Sequence, residues 1–525
     1  MTIAPEWMSA RDVDGIRQVL ADLEQPCYVV RGAEGIGVAS AEPPLGRPYQ
    51  VLAAAGPLPP ARLGSQAFLR HHGVRFPYMS GAMAGGIASE DLVIALAANG
   101  YLASFGAAGL LPDRIEAALQ RFQREIPGLP YACNLIHSPA EEGLERAAVE
   151  LYLRFDVRCV EASAYLGLTR HIVRYRVAGL ARDPHGRIVA GHRVIAKLSR
   201  AEVAEQFMRP APAAIVAELV RDGLITADQA ELARQVPMAD DITVEADSGG
   251  HTDRRPLPAL LPAVLMLRDR VEREQGYATP IRVGAAGGIG TPQAVCAAFA
   301  AGAAYVVTGS VNQSCRESGA SSATKAMLAA AAITDCEMAP AADMFELGVQ
   351  LQVLRKGTLF PMRARRLYEL YCAYDGIDAL PADERHKLET QFFRRPLEHV
   401  WQETVAYFEQ RDPAQLERAS GSEKRRMALI FRWYLGMSSR WSGLGQPDRV
   451  ADYQIWCGPA MGSFNDWVRG SYLEPPENRR VVAVAHHLMH GAAYLSRVMQ
   501  LRFAGVGLPS RCLDYRLTPI ESLGQ

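Results

Sequence analysis

"VGAAGGIGTPQAVCAAFAAGAAYVVTGSVNQ", residues 283–313, carries the pattern that decides the fold. A short apolar run ends in Gly287-Gly288. Thr291 and Pro292 then open a helix-like stretch. A threonine hydroxyl suits an N-cap, and proline suits the first helical position. A second apolar run, "YVVTGS" (305–310), ends in Gly309-Ser310. The segment therefore reads as strand, helix, strand, with glycine closing each strand.

The same alternation extends toward the N-terminus. Candidate strands are "YMSGAM" (78–83), "YLASFG" (101–106), "YACNLI" (131–136), "VRCVEAS" (157–163), "HRVIAKLS" (192–199) and "DITVEA" (241–246). With "IRVGAAG" (281–287) and "YVVTGS" they make eight. Between them lie amphipathic stretches such as "EDLVIALAANG" and "DRIEAALQRFQREI", with apolar residues at three- and four-residue spacing. "LPALLPAVLMLRDRVEREQG" ends in glycine, as helices often do. Eight such units in about 250 residues predict an α/β fold, a (β/α)₈ TIM barrel. The rival is a doubly wound open sheet. Its dinucleotide fingerprint should follow the first strand, where no G-x-G-x-x-G occurs, and "GAAGGIG" has the wrong glycine spacing.

A barrel of this kind carries its active site at the C-terminal strand ends. Gly81, Met83, Asn134, Ser163, Lys197, His251, Gly287, Gly288, Gly309 and Ser310 all fall there. The loops after strands seven and eight are the usual phosphate site of barrels, because glycine backbones approach closely and a helix N-terminus favours negative charge. Turns alone would also use these glycines. Small residues in "MSGAMAGG" (79–86) leave room for a planar ring. A phosphate beside a ring describes a flavin mononucleotide, FMN. "EADSGGHTD" (245–253) sets His251 after two glycines at a strand end. Histidine is the side chain most readily tuned to move protons near neutrality. A tight turn carrying a surface histidine is the rival reading. For Lys197 the rival is one half of a rim ion pair, and for Asn134 a strand-end cap.

The chain has 525 residues, enough for two or three domains. Apolar residues make up 49% and charged residues 22%, an ordinary globular composition. A formal net charge of −1 gives no reason to expect nucleic acid or an anionic membrane surface. No run is long enough to span a bilayer, and "MTIAPEWMSARDVDG" lacks the form of a secretory signal. Nine cysteines without close sequence pairs point to a reducing cytoplasm and show no zinc spacing. The expected organisation is a small N-terminal unit and linker over 1–65, a barrel over 66–340 and a helical domain over 341–525. The linker reading rests on "AAAGPLPPARLGS" (53–65).

"MSGAMAGGIAS", "EADSGGHTD", "GAAGGIGTPQAV" and "YVVTGSVNQ" resemble the nitronate monooxygenase and flavin-dependent enoyl reductase superfamily. "QLQVLRKGTLFPMRARRLYELY" (350–371) and "WCGPAMGSFNDWVRGSYLE" (456–474) are similar to its PfaD-type group, the trans-acting enoyl reductases of polyunsaturated fatty-acid and polyketide synthases. The resemblance implies an FMN enzyme that reduces enoyl groups on an acyl carrier protein, with NADPH as donor. It implies ring contacts from Ser80, Gly81, Ala82 and Asn134, and Lys197 near the ring or its ribityl chain. Gly287, Gly288, Gly309 and Ser310 would hold the phosphate, and His251 would be the active-site histidine. Many relatives have a simpler E-A-G-G-H, so Asp247-Ser248 weakens any carry-over of nitronate chemistry, in which the histidine is a base. A nitronate oxidase and a non-catalytic flavin-binding synthase subunit remain the alternatives. A homodimer is one open expectation for assembly.

The region from about 341 reads as helices, including "DERHKLETQFFRR", "PLEHVWQETVAYFEQ", "SEKRRMALIFRWYLGM" and "VVAVAHHLMHGAAYLSRVMQL". Basic clusters in "LRKGTLFPMRARR" and "EKRRMALIFRWYLGMSSR" suit either a solvated helix face or a dock for an acidic carrier protein. His486, His487 and His490 read as packing residues, since no nearby acid or metal-binding pattern accompanies them.

Overall fold

The computed structural model describes residues 9–45, 48–137 and 142–520. The first eight residues, which open the stretch read for a secretory signal, lie outside them. The barrel strands are β1 (Tyr78–Ser80), β2 (Leu102–Phe105), β3 (Ala132–Ile136), β4 (Cys159–Ser163), β5 (Arg193–Leu198), β6 (Asp241–Glu245), β7 (Arg282–Ala286) and β8 (Val306–Thr308). All neighbours pair in parallel, and β8 returns to β1 to close an eight-stranded barrel. Each expected strand is present, shortened by one to three residues at its ends. The helix after β7 starts as its sequence suggests: Thr291 accepts a hydrogen bond from the Ala294 N–H, and Pro292 is its first residue.

Side chains alternate between two cores, as a strand buried on both faces requires. Met79, Leu102, Ala132, Ile195, Tyr305 and Val307 fill the lumen. Tyr78, Ala103, Cys133, Val160, Val194 and Val244 face the surrounding helices. The bottom of the lumen is closed by Asp241, which takes two hydrogen bonds from Arg282 at 2.6 and 2.8 Å and one contact from His72 at 2.8 Å.

Outside the barrel, two expectations are corrected. Ala53–Ala55 are not linker: they end the strand Gln50–Ala55 of a three-stranded antiparallel sheet. That sheet packs on the long helix Val481–Phe503, whose fully buried Arg497 donates to the carbonyls of Asp22 (2.7 Å) and Gln25 (2.6 Å). The region beyond 341 is not wholly helical either. Gln350–Leu354 is a strand, flanked by Cys336–Pro340 on one edge and by Gly250–His251 on the other. In "QLQVL" only Gln350 is exposed, so the strand is buried on both faces, and backbone partners at both edges satisfy its polar groups. The rest is helical, with Leu397–Arg411, Glu423–Leu444 and Val481–Phe503 its longest members. Among the described residues no helix is long and apolar enough to cross a membrane.

Candidate active site

Three adjacent strands bring charge to the C-terminal mouth. Lys197 Nζ lies 3.6 Å from Glu161 Oε1 and 3.5 Å from Glu245 Oε1. Burial alone would depress the lysine pKa. Glu245 and then Glu161 reverse that and hold Lys197 charged, well above its ordinary value. The ion-pair reading of Lys197 is therefore right about the pairing, and the pair stands at the mouth. Glu161 Oε2 accepts from the Ala82 N–H at 2.7 Å, while its Oε1 has no hydrogen-bond partner among the described residues. Glu161 is fully buried and ties the end of β1 to the centre of the mouth. Neither glutamate stands out in the sequence. The available signal is one acid inside the apolar run "VRCVEAS", because a buried charge is costly unless paired.

The ring-contact candidates divide. Ser80 turns its hydroxyl away from the lumen and accepts from Asn312 Nδ2 at 2.8 Å, beside Tyr78 and Thr308. Its side chain serves the barrel wall. Gly81 donates to the Thr308 carbonyl at 3.0 Å, and a β-carbon there would meet Val307 Cγ1 at 2.9 Å. Ala82 is held by Glu161. Asn134 Nδ2 donates to the Glu161 carbonyl at 3.0 Å and to Ser163 Oγ at 2.9 Å, a strand-end tie within the same mouth.

The phosphate candidates divide as well. Gly287 has φ +86°, and a β-carbon there would meet the Ala246 backbone at 2.6 Å, so packing against the end of β6 already explains it. Gly288 and Gly309 have open space where a side chain would stand. Neither N–H finds a backbone acceptor among the described residues. Room plus free N–H groups at two neighbouring strand ends is what an anion cradle requires. The residues therefore fit the phosphate of the FMN that the resemblance implies. Ser310 Oγ accepts from the Gly458 N–H at 3.0 Å, so the post-barrel segment reaches this loop.

His251 lies beyond β6, in a two-residue strand paired with Gln350–Leu354. It is about one-third exposed, and its Nε2 lies 3.2 Å from Asp343 Oδ1. Burial opposes the charged imidazole. The Asp343 hydrogen bond and the charges of Asp343 and Glu245 outweigh burial and Lys197, and the pKa is raised. Asp343, Gln352 and Gly458 are further site residues to which the sequence assigns no role, because all three follow the barrel.

The basic cluster near residue 424 is largely engaged. Lys424 donates to Tyr374 O at 2.7 Å, and Arg426 bonds Glu398 at 2.7 Å while lying over Trp401. In the other cluster Arg363, Arg365 and Arg366 pair with Asp452, Glu337 and Glu384. Exposed Arg355 makes no ion pair among the described residues. The rings of His486 and His490 stack at 3.8 Å, and His487 bonds Tyr472 and Tyr515, which agrees with packing roles. Two cysteines distant in sequence, Cys336 and Cys457, bring their sulfurs to 3.8 Å.

A family model described as nitronate monooxygenase matches residues 66–364. The PfaD N-terminal domain of fatty acid synthases matches 9–55, and the inserted helical domain of acyl-carrier-protein S-malonyltransferase matches 374–453. A polyunsaturated fatty acid synthase component of Thraustochytrium sp. (strain ATCC 26185 / S-3) is 50% identical over 447 residues, which is 84% of this chain and 30% of that protein. Polyketide biosynthesis protein ThaF of Burkholderia thailandensis is 44% identical over 446 residues, 85% of this chain and 38% of that protein. The chain thus spans only about a third of these curated relatives. The crystal structure of the enoyl reductase domain of MlnA, from the macrolactin biosynthesis cluster of Bacillus amyloliquefaciens, superposes with a TM-score of 0.80 at 36% identity, covering 85% of this chain and 100% of that one.

Proposed function

The chain belongs to the nitronate monooxygenase family, in its PfaD-type group, and from that premise we propose that it is an FMN-dependent enoyl reductase. Its substrates are α,β-unsaturated thioesters on acyl carrier domains of a polyketide or polyunsaturated fatty-acid synthase. The observation that carries the reading is one mouth holding a carboxylate-paired histidine, a charged lysine and an open glycine cradle, in a barrel that superposes on an enoyl reductase domain over that domain's whole length.

Gly288, Gly309 and Ser310 would hold the phosphate, and Gly81, Ala82 and Asn134 would border the ring. When bound, FMN supplies a hydride for the β-carbon, at the expense of NADPH. Lys197 offsets negative charge on the cofactor. His251 donates a proton to the α-carbon, and water restores it. The walls of the mouth exclude water and orient the thioester, which is where much of the rate gain arises. A positioned acid contributes about 10²- to 10⁴-fold. Family membership also supports a second reading, oxidation of small nitronates, in which histidine is a base. Superposition on an enoyl reductase domain over that domain's whole length favours reduction.

Anaerobic addition of NADPH to the purified yellow protein tests the reading. Rapid bleaching, followed by reoxidation with an enoyl-pantetheine thioester, is expected. A flavin that stays oxidised under NADPH, yet turns over with a nitronate in air, would establish the second reading instead.

A further inference from the structure

One hairpin outside the barrel grips the His251 loop at both ends. Its second strand, Gln350–Leu354, pairs Gln352 with Gly250 and Leu351 with His251. Buried Gln352 donates from Nε2 to Asp247 Oδ1 and to the Ser248 carbonyl, both at 2.8 Å. The residues that depart from the simpler glycine motif are therefore clamped from outside the barrel. Between the two strands of the hairpin, Asp343 reaches back to His251 Nε2 at 3.2 Å. Pairing sets the backbone of residue 251, but among the described residues only Asp343 bonds its ring. Nδ1 has no partner among the described residues.

We infer that Asp343 is the positioning residue of the site: it orients the His251 ring through Nε2 and leaves Nδ1 for the thioester. The role rests on the reading of His251 as proton donor. The groups that bear on the ring come from several elements. Glu245 on β6 and Asp343 favour the imidazolium, and Lys197 on β5 opposes it. Arg432, from the helix Glu423–Leu444, acts on Asp343 and bonds Glu346 at 3.4 Å. Hydrogen bonding of one ring nitrogen to a carboxylate fixes orientation and protonation of the other.

The test uses the full-length flavoprotein and two readouts. Diethyl pyrocarbonate acylates only neutral imidazole, and peptide mass analysis resolves His251 from the other histidines. The midpoint of His251 modification against pH should fall by about one unit in Asp343→Asn. On an enoyl-pantetheine thioester, kcat should fall roughly tenfold to a hundredfold with KM within about twofold. Asp343→Glu should recover more activity than Asp343→Ser. An unmoved midpoint in both Asp343→Asn and Asp343→Ser, or a moved midpoint with unchanged kcat, overturns the inference. Circular dichroism identifies any variant that has not folded, and the serine variant then carries the comparison. A wild-type chain that reduces no enoyl thioester overturns the proposed function, while the midpoint still reports the pairing by itself.

Discussion

The Gly458 N–H donates to Ser310 Oγ at 3.0 Å, so a glycine from the post-barrel chain rests on the loop that ends β8. A β-carbon on Gly458 would meet Gly249 N at 2.7 Å and Ser248 C at 2.8 Å. Backbone atoms cannot swing aside as a flexible side chain does. Gly458→Ala should therefore destabilise by about 1–3 kcal/mol. It should also loosen both the His251 loop and the Ser310 loop. Thermal unfolding with flavin content per chain checks this, and wild-type values for both would show that the contact yields.

Gly309 gives the cleanest test of the anion cradle. Its backbone (φ −129°, ψ −75°) is irregular but outside the left-handed region, and a side chain there meets nothing within 4 Å. Gly309→Asp should leave the fold intact and expel FMN by like-charge repulsion, whereas Gly309→Ala should retain most of it. Chromophore release followed by mass analysis reads both. Full FMN occupancy in the aspartate variant would move the phosphate elsewhere.

Lys197 is the cation between two carboxylates, one fully buried. Lys197→Met strands Glu161 without a counter-charge, and breaking a buried pair costs about 3–5 kcal/mol. Adding Glu161→Gln to that variant should restore much of the loss. Urea unfolding of the two singles and the double measures the coupling. Additive losses would mean that the groups do not interact.

The His251–Asp343 pair predicts a stability window. Burial opposes ionisation of Asp343, but the bond to His251 lowers its pKa overall. Its contribution is present above the unfolded carboxylate value and fades as pH falls through the folded one. His251 is raised. Its contribution is complete below the unfolded imidazole value and fades as pH rises through the folded one. The pair should therefore stabilise most between about pH 4 and 6.5. Urea unfolding of wild type and Asp343→Ser across pH 3–9 checks this, with the largest gap expected inside that window.

Arg355 follows the strand that pairs with His251 and makes no ion pair among the described residues. Four residue steps of extended chain carry it from Leu351, the partner of His251, about 13 Å along the strand direction. Arg355→Glu should raise the apparent KM for carrier-bound enoyl substrate, spare a pantetheine thioester, and lose its effect in high salt. Arg425 and Arg426 are poorer choices, because Arg426 is committed to Glu398 and Trp401. Equal losses on both substrates would point to a folding defect.

The barrel was legible because each of its strands is buried on both faces and so reads as a compact apolar run between amphipathic stretches. "VRCVEAS" and "IRVGAAG" announce themselves in this way. The strand "QLQVL" was hidden by its helical surroundings, and Ala53–Ala55 by the prolines and glycines that follow. The site was legible where topology alone places residues, as with Lys197, Gly288 and Gly309 at strand ends. It was not legible where side-chain direction matters. Ser80 sits at the correct end of β1, yet its hydroxyl faces Asn312.

The sequence by itself determined the eight-stranded barrel, the rim on which chemistry gathers and the glycine turns, because hydrophobic period and backbone freedom are local properties of a chain. Only the tertiary structure decided which charges meet. Asp343 stands 92 residues from His251, and Glu161 reaches Lys197 across neighbouring strands. Those pairings depend on register and on the packing of the post-barrel hairpin, and they set the protonation of the two groups on which the proposed chemistry rests.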